Sequence, residues 1–298
     1  MKRATISNIV TGMLFGFIIT GVLAFKENKN SNETIPTYTS PALPENLSFA
    51  DEKVPLERWD VKERLDREIL FNYYNQANIL FLLKLANRYF PVISERLKAN
   101  GIPDDFKYLC VAESNLLSNA RSRVGATGFW QFMAGTAPGY GLETNSQVDH
   151  RYDVEKSTDA ASKYLLVAYQ KFGTWTGAAA SYNCGQGGYN SHATYQGSKN
   201  YYDLLLPDET NRYIFRILAF KYLMENAEKL GFHLKQDELY PLMPFRTVTI
   251  NSSIPNLATY AIANGTNYKM LRQMNPWVRG KTLSVKSGKS YELKLPAQ

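Results

Sequence analysis

The sequence predicts a mainly α protein, a helical body followed by a small β-α-α-β unit. Between about Leu56 and His233, apolar residues recur at helical spacing in one segment after another, with only short turns between them. After "YPLMPF" the period changes to two in "RTVTI" and again in "YELKLP", with two short helical stretches between them. The 298 residues are 44% hydrophobic and 13% aromatic, enough for one sizeable core and a smaller second one.

Taken in order, Lys2 and Arg3 precede an uncharged, largely apolar run from Ile6 to Phe25, and Lys26 restarts the polar chain. Its length is close to that of a spanning helix, and Val22 and Ala24 would also suit a cleavage site before Phe25. Residues 1–25 therefore predict export, as a membrane anchor or as a cleaved signal. Residues 26–55, rich in Asn, Ser, Thr, Pro and Glu without periodicity, read as a flexible linker. Residues 56–240 form the helical domain. Its helices lie in "LERWDVKERLDREILFNYY", "ANILFLLKLANRYFPVISERLKAN", a segment around Glu113, "STDAASKYLLVAYQKF", "TWTGAAASYN" and "ETNRYIFRILAFKYLMENAEKL". Residues 245–298 form the β-α-α-β unit, whose two short helices flank a Gly turn in "NLATYAIANGTNYKMLRQMNP".

The net charge of +7 favours acidic partners such as nucleic acid, anionic lipid or an anionic wall polymer. No dense basic run or nucleic-acid signature supports the first of these. Two cysteines, Cys110 and Cys184, and three scattered histidines offer no metal-binding spacing, and two buried free thiols are favoured over a disulfide.

One residue stands out. Phe106, Leu109, Cys110, Leu116 and Leu117 read as an apolar stripe, and Glu113 occupies the slot between Cys110 and Leu117. A carboxylate there is costly unless it pairs with a cation, Arg121 and Arg123 being candidates, or holds a proton at neutral pH.

Three stretches downstream carry further polar and aromatic groups. "SRVGATGFWQFMAGTAPGYGL" predicts a tight glycine turn or hairpin, then a helix starting at Trp130, Gln131 and Met133. In "AAASYNCGQGG", small residues from Gly177 to Ser181 allow close helix packing, and Tyr182 and Asn183 follow where glycines end the helix. In "LPDETNRYIFRILA", Asp208 or Thr210 is a candidate cap for a helix carrying Glu209, Tyr213 and Arg216. Each has a plain reading as core or cap. Together they would line a groove with one protonatable carboxyl, aromatic and thioether surface, and amide and hydroxyl heads, which suits binding and cleaving a polysaccharide.

The ordered series "AESNL", "GATGFWQFM", "VDHRYDVEKST", "AAASYNCG" and "ET…Y" resembles the family 1 (Slt-type) lytic transglycosylases that cut bacterial peptidoglycan, and most of all their membrane-bound murein transglycosylase D branch. The match runs from about Pro103 to Ala219, and the C-terminal unit resembles a LysM domain. The resemblance implies a lysozyme-like helical fold and a single catalytic carboxyl at Glu113. It implies substrate contacts at Ser122, Gln131, Met133, Tyr182, Asn183 and Glu209, with peptidoglycan glycan strands as partner and no cofactor or metal. It further implies an envelope, periplasmic location. The sequence departs from the family at Ser181, where Ala usually precedes the Tyr-Asn pair, and at His150, where an acidic residue usually lies. It departs again at Ser253 to Leu257, in place of the usual Gly-Asp-Thr-Leu opening of a LysM unit. Two alternatives stand beside the transglycosylase: a lysozyme-type hydrolase in which Asp149 or Asp153 positions water, and a wall-binding protein without catalysis.

Overall fold

The structure, a computed structural model, describes residues 39–297, so the apolar run 6–25 and residues 26–38 of the expected linker lie outside the described residues. Among the described residues there are eight α-helices: α1 (Trp59–Tyr74), α2 (Gln76–Ala99), α3 (Phe106–Ser114), α4 (Val154–Phe172), α5 (Trp175–Gln196), α6 (Asp208–Glu225), α7 (Leu257–Ala263) and α8 (Tyr268–Met274). Two antiparallel pairs join β1 (Ser48–Phe49) to β2 (Glu52–Lys53) and β3 (Phe245–Ile250) to β4 (Tyr291–Pro296). The mainly α class read from the sequence is the class observed.

Helix α6 runs through the body and packs against α1, α2, α3 and α5, burying Ile214, Ile217, Leu218 and Ala219 completely. Helix α1 turns Val61, Leu65, Glu68 and Ile69 inward, and buried Glu68 accepts from Arg212 Nε of α6 at 2.8 Å. Helix α4 begins where the Asp153 carboxylate accepts the Lys156 N–H at 3.0 Å. Ala178, Ala179, Ala180 and Ser181 of α5 are fully buried, the close packing expected of that small-residue run. Pro91 lies inside α2, where it removes one helical hydrogen bond without ending the helix.

The expected flexible linker is ordered over its last stretch. Phe49 is fully buried and meets Phe106 edge-on with ring centroids 5.0 Å apart. The Glu52 carboxylate accepts the Trp175 N–H at 2.5 Å and the Thr176 N–H at 2.8 Å, at the start of α5. Asp105 accepts the Ala50 N–H at 2.7 Å. Two-residue strands are too short to show a period, and each of these partners lies at least 55 residues away in sequence. Glu52→Ala strands the first donors of α5 and is expected to lower stability by about 1–3 kcal/mol in denaturant unfolding.

The β3–α7–α8–β4 unit builds a second core from Ile250, Leu257, Ala261, Leu271, Val278, Leu283, Leu293 and Leu295. Fully buried Asn275 staples it, donating to the Leu271 and Lys294 carbonyls and accepting the Lys294 N–H. The same core takes in Val148 and Tyr152 from the helical body, so this unit is docked there. Three basic residues of the unit are engaged as well. Arg279 lies 4.2 Å from the Tyr152 ring centroid, Lys289 bridges to Glu143 at 2.5 Å, and Arg272 donates to the Gly280 carbonyl.

Candidate functional site

Glu113 sits in the last turn of α3, and the helix stops three residues before the expected stripe is complete. Asn115 and Leu116 adopt left-handed backbone conformations, with φ of 50° and 57°, and Leu117 is turned out to solvent. The helical part of the stripe therefore covers Phe106, Leu109 and Cys110, Leu116 is buried from the turn that follows, and Glu113 stands at the end of the helix. Neither Arg121 nor Arg123 pairs with it, and both are exposed. Among the described residues Glu113 takes part in no ion pair.

Its partner comes from the middle of the body. The buried Tyr213 hydroxyl, on α6, donates a short hydrogen bond to Glu113 Oε1. Glu113 is half-buried, with part of its side chain reachable by water while the surrounding protein strips most of its hydration. That desolvation pushes its pKa up to about 7, with Glu209 adding to the rise, against the Tyr213 hydrogen bond and the Arg216 charge. The carboxylate also opposes the α3 dipole, which acts in the same direction. Burial, and then the nearby Glu113 charge, hold the Tyr213 and Tyr182 hydroxyls well above the ordinary phenol value, so both stay protonated.

The other expected site residues gather from three elements. Tyr182 on α5 packs its ring edgewise against Trp130, Phe132 and Tyr164, and its hydroxyl donates to the Trp130 carbonyl at 2.8 Å. Asn183 Oδ1 accepts the Thr210 hydroxyl at 2.7 Å, tying α5 to α6. Glu209, in the first turn of α6, is exposed and bidentate with Arg216 at 2.9 and 3.3 Å, which holds its carboxyl below the usual range. The glycines after Asn183 break the helix at Gly185 (φ 77°) without ending it, since α5 resumes and runs to Gln196. Neither Asp208 nor Thr210 caps α6, because Pro207 occupies the cap and Thr210 is spent on Asn183.

The segment from Arg121 to Met133 is a hairpin-like turn, and the helix expected at Trp130, Gln131 and Met133 is absent. Single bridges join Arg121 to Thr127 and Thr127 to Phe132. Gln131 has φ of 49°, and its Nε2 donates to the Ala120 and Gly128 carbonyls at 3.3 and 2.8 Å. Gly128 is required there, since a Cβ would lie 1.8 Å from the Arg151 carbonyl oxygen. The Trp130 indole anchors the turn to α4 by donating to Thr158 Oγ1 at 2.9 Å. Ser122 Oγ accepts the Ala126 N–H within the turn, and Met133 projects outward, 43% exposed. The structure thus brings Tyr182 and Glu209 each within electrostatic reach of Glu113, with Gln131 bonded inside the hairpin and Asn183 bonded to Thr210 of α6. Ser122 and Met133 lie on the hairpin without a bond to that group. Tyr213 is the functional neighbour that was not singled out as a site residue. Its spacing of four from Glu209 and three from Arg216 already put the three on one face of α6.

Cys110 is buried, with its thiol raised by desolvation, and Cys184 is half-buried, both free. Among the described residues no cluster of His, Cys, Asp and Glu is placed to hold a metal ion. A surface cleft of about 590 Å³ lined in part by Ser94, Pro103 and Trp175 contains none of the site residues, and the chemistry of Glu113 decides against it. Tyr182→Phe keeps the ring and removes the bond to the Trp130 carbonyl. It is expected to cost about 1 kcal/mol in unfolding and to slow turnover by loosening the hairpin against α5, which kinetics and melting of one preparation separate.

Comparison with known proteins places this geometry in context. Residues 91–205 match the transglycosylase SLT domain, and residues 246–298 match the soluble lytic transglycosylase C-terminal LysM-like domain. Over 212 residues the chain is 30% identical to the membrane-bound lytic murein transglycosylase D of Escherichia coli K12, covering 69% of this chain and 46% of that protein. It is 28% identical over 103 residues to a putative tributyltin chloride resistance protein of an Alteromonas species, covering 34% of this chain and 50% of that one. The chain spans about half the length of the curated relatives it matches. Among solved structures, the 70 kDa soluble lytic transglycosylase of Escherichia coli aligns with a TM-score of 0.42 at 20% identity, over 59% of this chain and 32% of that one. An inactive mutant of the Pseudomonas aeruginosa lytic transglycosylase Slt aligns at 0.38 and 22%, over 51% of this chain and 26% of that one. The chain therefore carries a transglycosylase SLT domain at residues 91–205, followed by a soluble lytic transglycosylase C-terminal LysM-like domain at residues 246–298.

Proposed function

We infer that the chain is a peptidoglycan lytic transglycosylase with Glu113 as its acid and base. The observation that carries this reading is a carboxyl in the last turn of α3, bonded by the Tyr213 hydroxyl and held in no ion pair among the described residues, with a pKa raised to about 7 by desolvation and lying close to Tyr182 and Glu209. Neutral Glu113 gives its proton to the oxygen between N-acetylmuramic acid and N-acetylglucosamine, and the C1–O bond breaks. The carboxylate so formed takes the proton of the muramoyl C6 hydroxyl as that oxygen bonds to C1. The product is a 1,6-anhydro sugar, Glu113 ends protonated, and no water is consumed. Ser122, Gln131, Met133, Tyr182, Asn183 and Glu209 are the substrate-contact candidates along the groove.

A lysozyme-type hydrolase needs a second carboxylate to position water. Asp149 and Asp153, the candidates for that role, are committed elsewhere. Asp149 holds Arg151 through Nε at 2.9 Å and Nη2 at 2.7 Å, and Asp153 caps α4. Mass analysis of products from purified sacculi decides the matter. Fragments one water lighter than hydrolysis products support the transglycosylase. Reducing muramic ends support the hydrolase, and intact sacculi leave a wall-binding protein.

The working place would be the cell envelope, on its periplasmic side, with the chain exported through residues 1–25 and held to the membrane if the run 6–25 is kept. Among the described residues no helix is long and apolar enough to cross a membrane. Fractionation with N-terminal sequencing distinguishes an anchored chain from one cut before Phe25.

A further inference from the structure

We propose that the LysM-like unit positions the substrate hairpin of the SLT domain through the segment from Gln147 to Arg151, in addition to any hold it has on the wall. This rests on the functional reading above for its kinetic consequence, though not for its structural one.

The segment is gripped from both sides. On the C-terminal side, Val148 forms an antiparallel bridge with Val278, and the Asp149 N–H donates to the Trp277 carbonyl at 2.8 Å. The Gln147 carbonyl accepts the Arg279 N–H at 2.7 Å, and its side chain reaches Thr282 Oγ1 at 2.8 Å and the Ser284 N–H at 2.9 Å. Val148 and Tyr152 are buried in the core of the LysM-like unit itself. His150 is buried with its ring 5.3 Å from that of Trp277, and desolvation and Lys156 lower its pKa to about 4, so it packs as a neutral ring. An acidic side chain, usual in the family at this position, would be desolvated against the same indole.

On the other side the segment holds the hairpin. The Asp149 carboxylate orients the Arg151 guanidinium, which donates through Nη1 to the Phe132 carbonyl at 3.1 Å and the Gly125 carbonyl at 3.3 Å. Gly128 rests directly on the Arg151 backbone. Docking of the C-terminal unit thus fixes Asp149, Asp149 fixes Arg151, and Arg151 fixes both limbs of the turn that carries Trp130 and Gln131. A freely tethered wall anchor needs none of this.

Two variants of the full chain test it. Gln147→Ala with Arg279→Ala weakens docking from outside both the hairpin and the LysM-like core. Asp149→Asn keeps the backbone bond to Trp277 and removes the charge that orients Arg151. Both are expected to speed amide hydrogen exchange at residues 122–132 by on the order of 10-fold, and to raise KM for short soluble glycan fragments by a similar factor. The pH limb set by Glu113 should stay where it is in the wild type, which general destabilisation would not ensure. In Asp149→Asn, exchange across residues 246–297 should match the wild type. Wild-type exchange in the hairpin of Asp149→Asn would overturn the proposal. So would unaltered KM on short fragments in an active enzyme whose hairpin has loosened. If the wild type cleaves no glycan, the functional reading fails, and the exchange result still decides whether the relay exists.

Discussion

Glu113→Gln is expected to lower turnover of sacculi by on the order of 100-fold or more while leaving the protein at least as stable as the wild type. The side-chain shape is kept, and the amide oxygen still accepts the Tyr213 hydroxyl, so the only loss is the transferable proton. Stability follows from the raised pKa. The folded state keeps its proton up to about 7, whereas an unfolded glutamate releases it near its ordinary value of 4.5. Between those values the folded state binds more protons, so wild-type stability falls as pH rises through this window and is flat above it. The variant lacks this loss. At pH 8 it should be more stable than wild type by on the order of 2 kcal/mol, and at pH 4 the two should melt together. A structural ion pair at this position predicts the opposite, a variant destabilised near neutrality. Denaturant unfolding at the two pH values, run beside product analysis, checks both halves.

The second large effect concerns Tyr213. Its hydroxyl donates to the charged form of Glu113 and so lowers the pKa from where desolvation alone would leave it. Tyr213→Phe removes that donor, and the ionisation of Glu113 should move up by about one unit or more, given about 1.5–3 kcal/mol for a hydrogen bond to a charged group. In the wild type, kcat/KM should fall as pH rises through about 7, because the free enzyme must hold its proton to act as acid. In the variant this limb should shift to higher pH, so that at pH 8 to 9 its rate relative to its own optimum exceeds the wild-type ratio. A limb that stays in place would mean that Tyr213 only packs against α3.

The helices of the body were legible because an amphipathic helix writes its buried face into local spacing. Leu65 and Ile69 on α1, or Leu165 and Phe172 on α4, declare themselves within a few turns of chain. Glu113 was legible for a related reason, as a charge in one slot of an apolar stripe. Whether that face continued was a different matter. It depended on Asn115 and Leu116 turning left-handed, a backbone choice that these two side chains do not announce. The Trp130–Met133 segment misleads in the same way. Its aromatic and thioether residues suit a helix start, yet two bridges and the bonds of Arg151 to the Gly125 and Phe132 carbonyls hold it as a turn.

By itself, then, the sequence determined the mainly α class, most of the helix-bearing segments and the β-α-α-β unit. Each of these rests on interactions between near neighbours or on an ordered motif. Tertiary structure alone decided that Tyr213, 100 residues from Glu113, donates a hydrogen bond to it. It also decided that Phe49 and Glu52 belong to the body, that Arg151 reaches the Gly125 and Phe132 carbonyls, and that the C-terminal unit shares its core with Val148 and Tyr152. All four are contacts between distant stretches of chain, formed when surfaces that are individually ordinary close on each other. Their energy is absent from any local window, and becomes available only once the packed helices have brought those surfaces within reach.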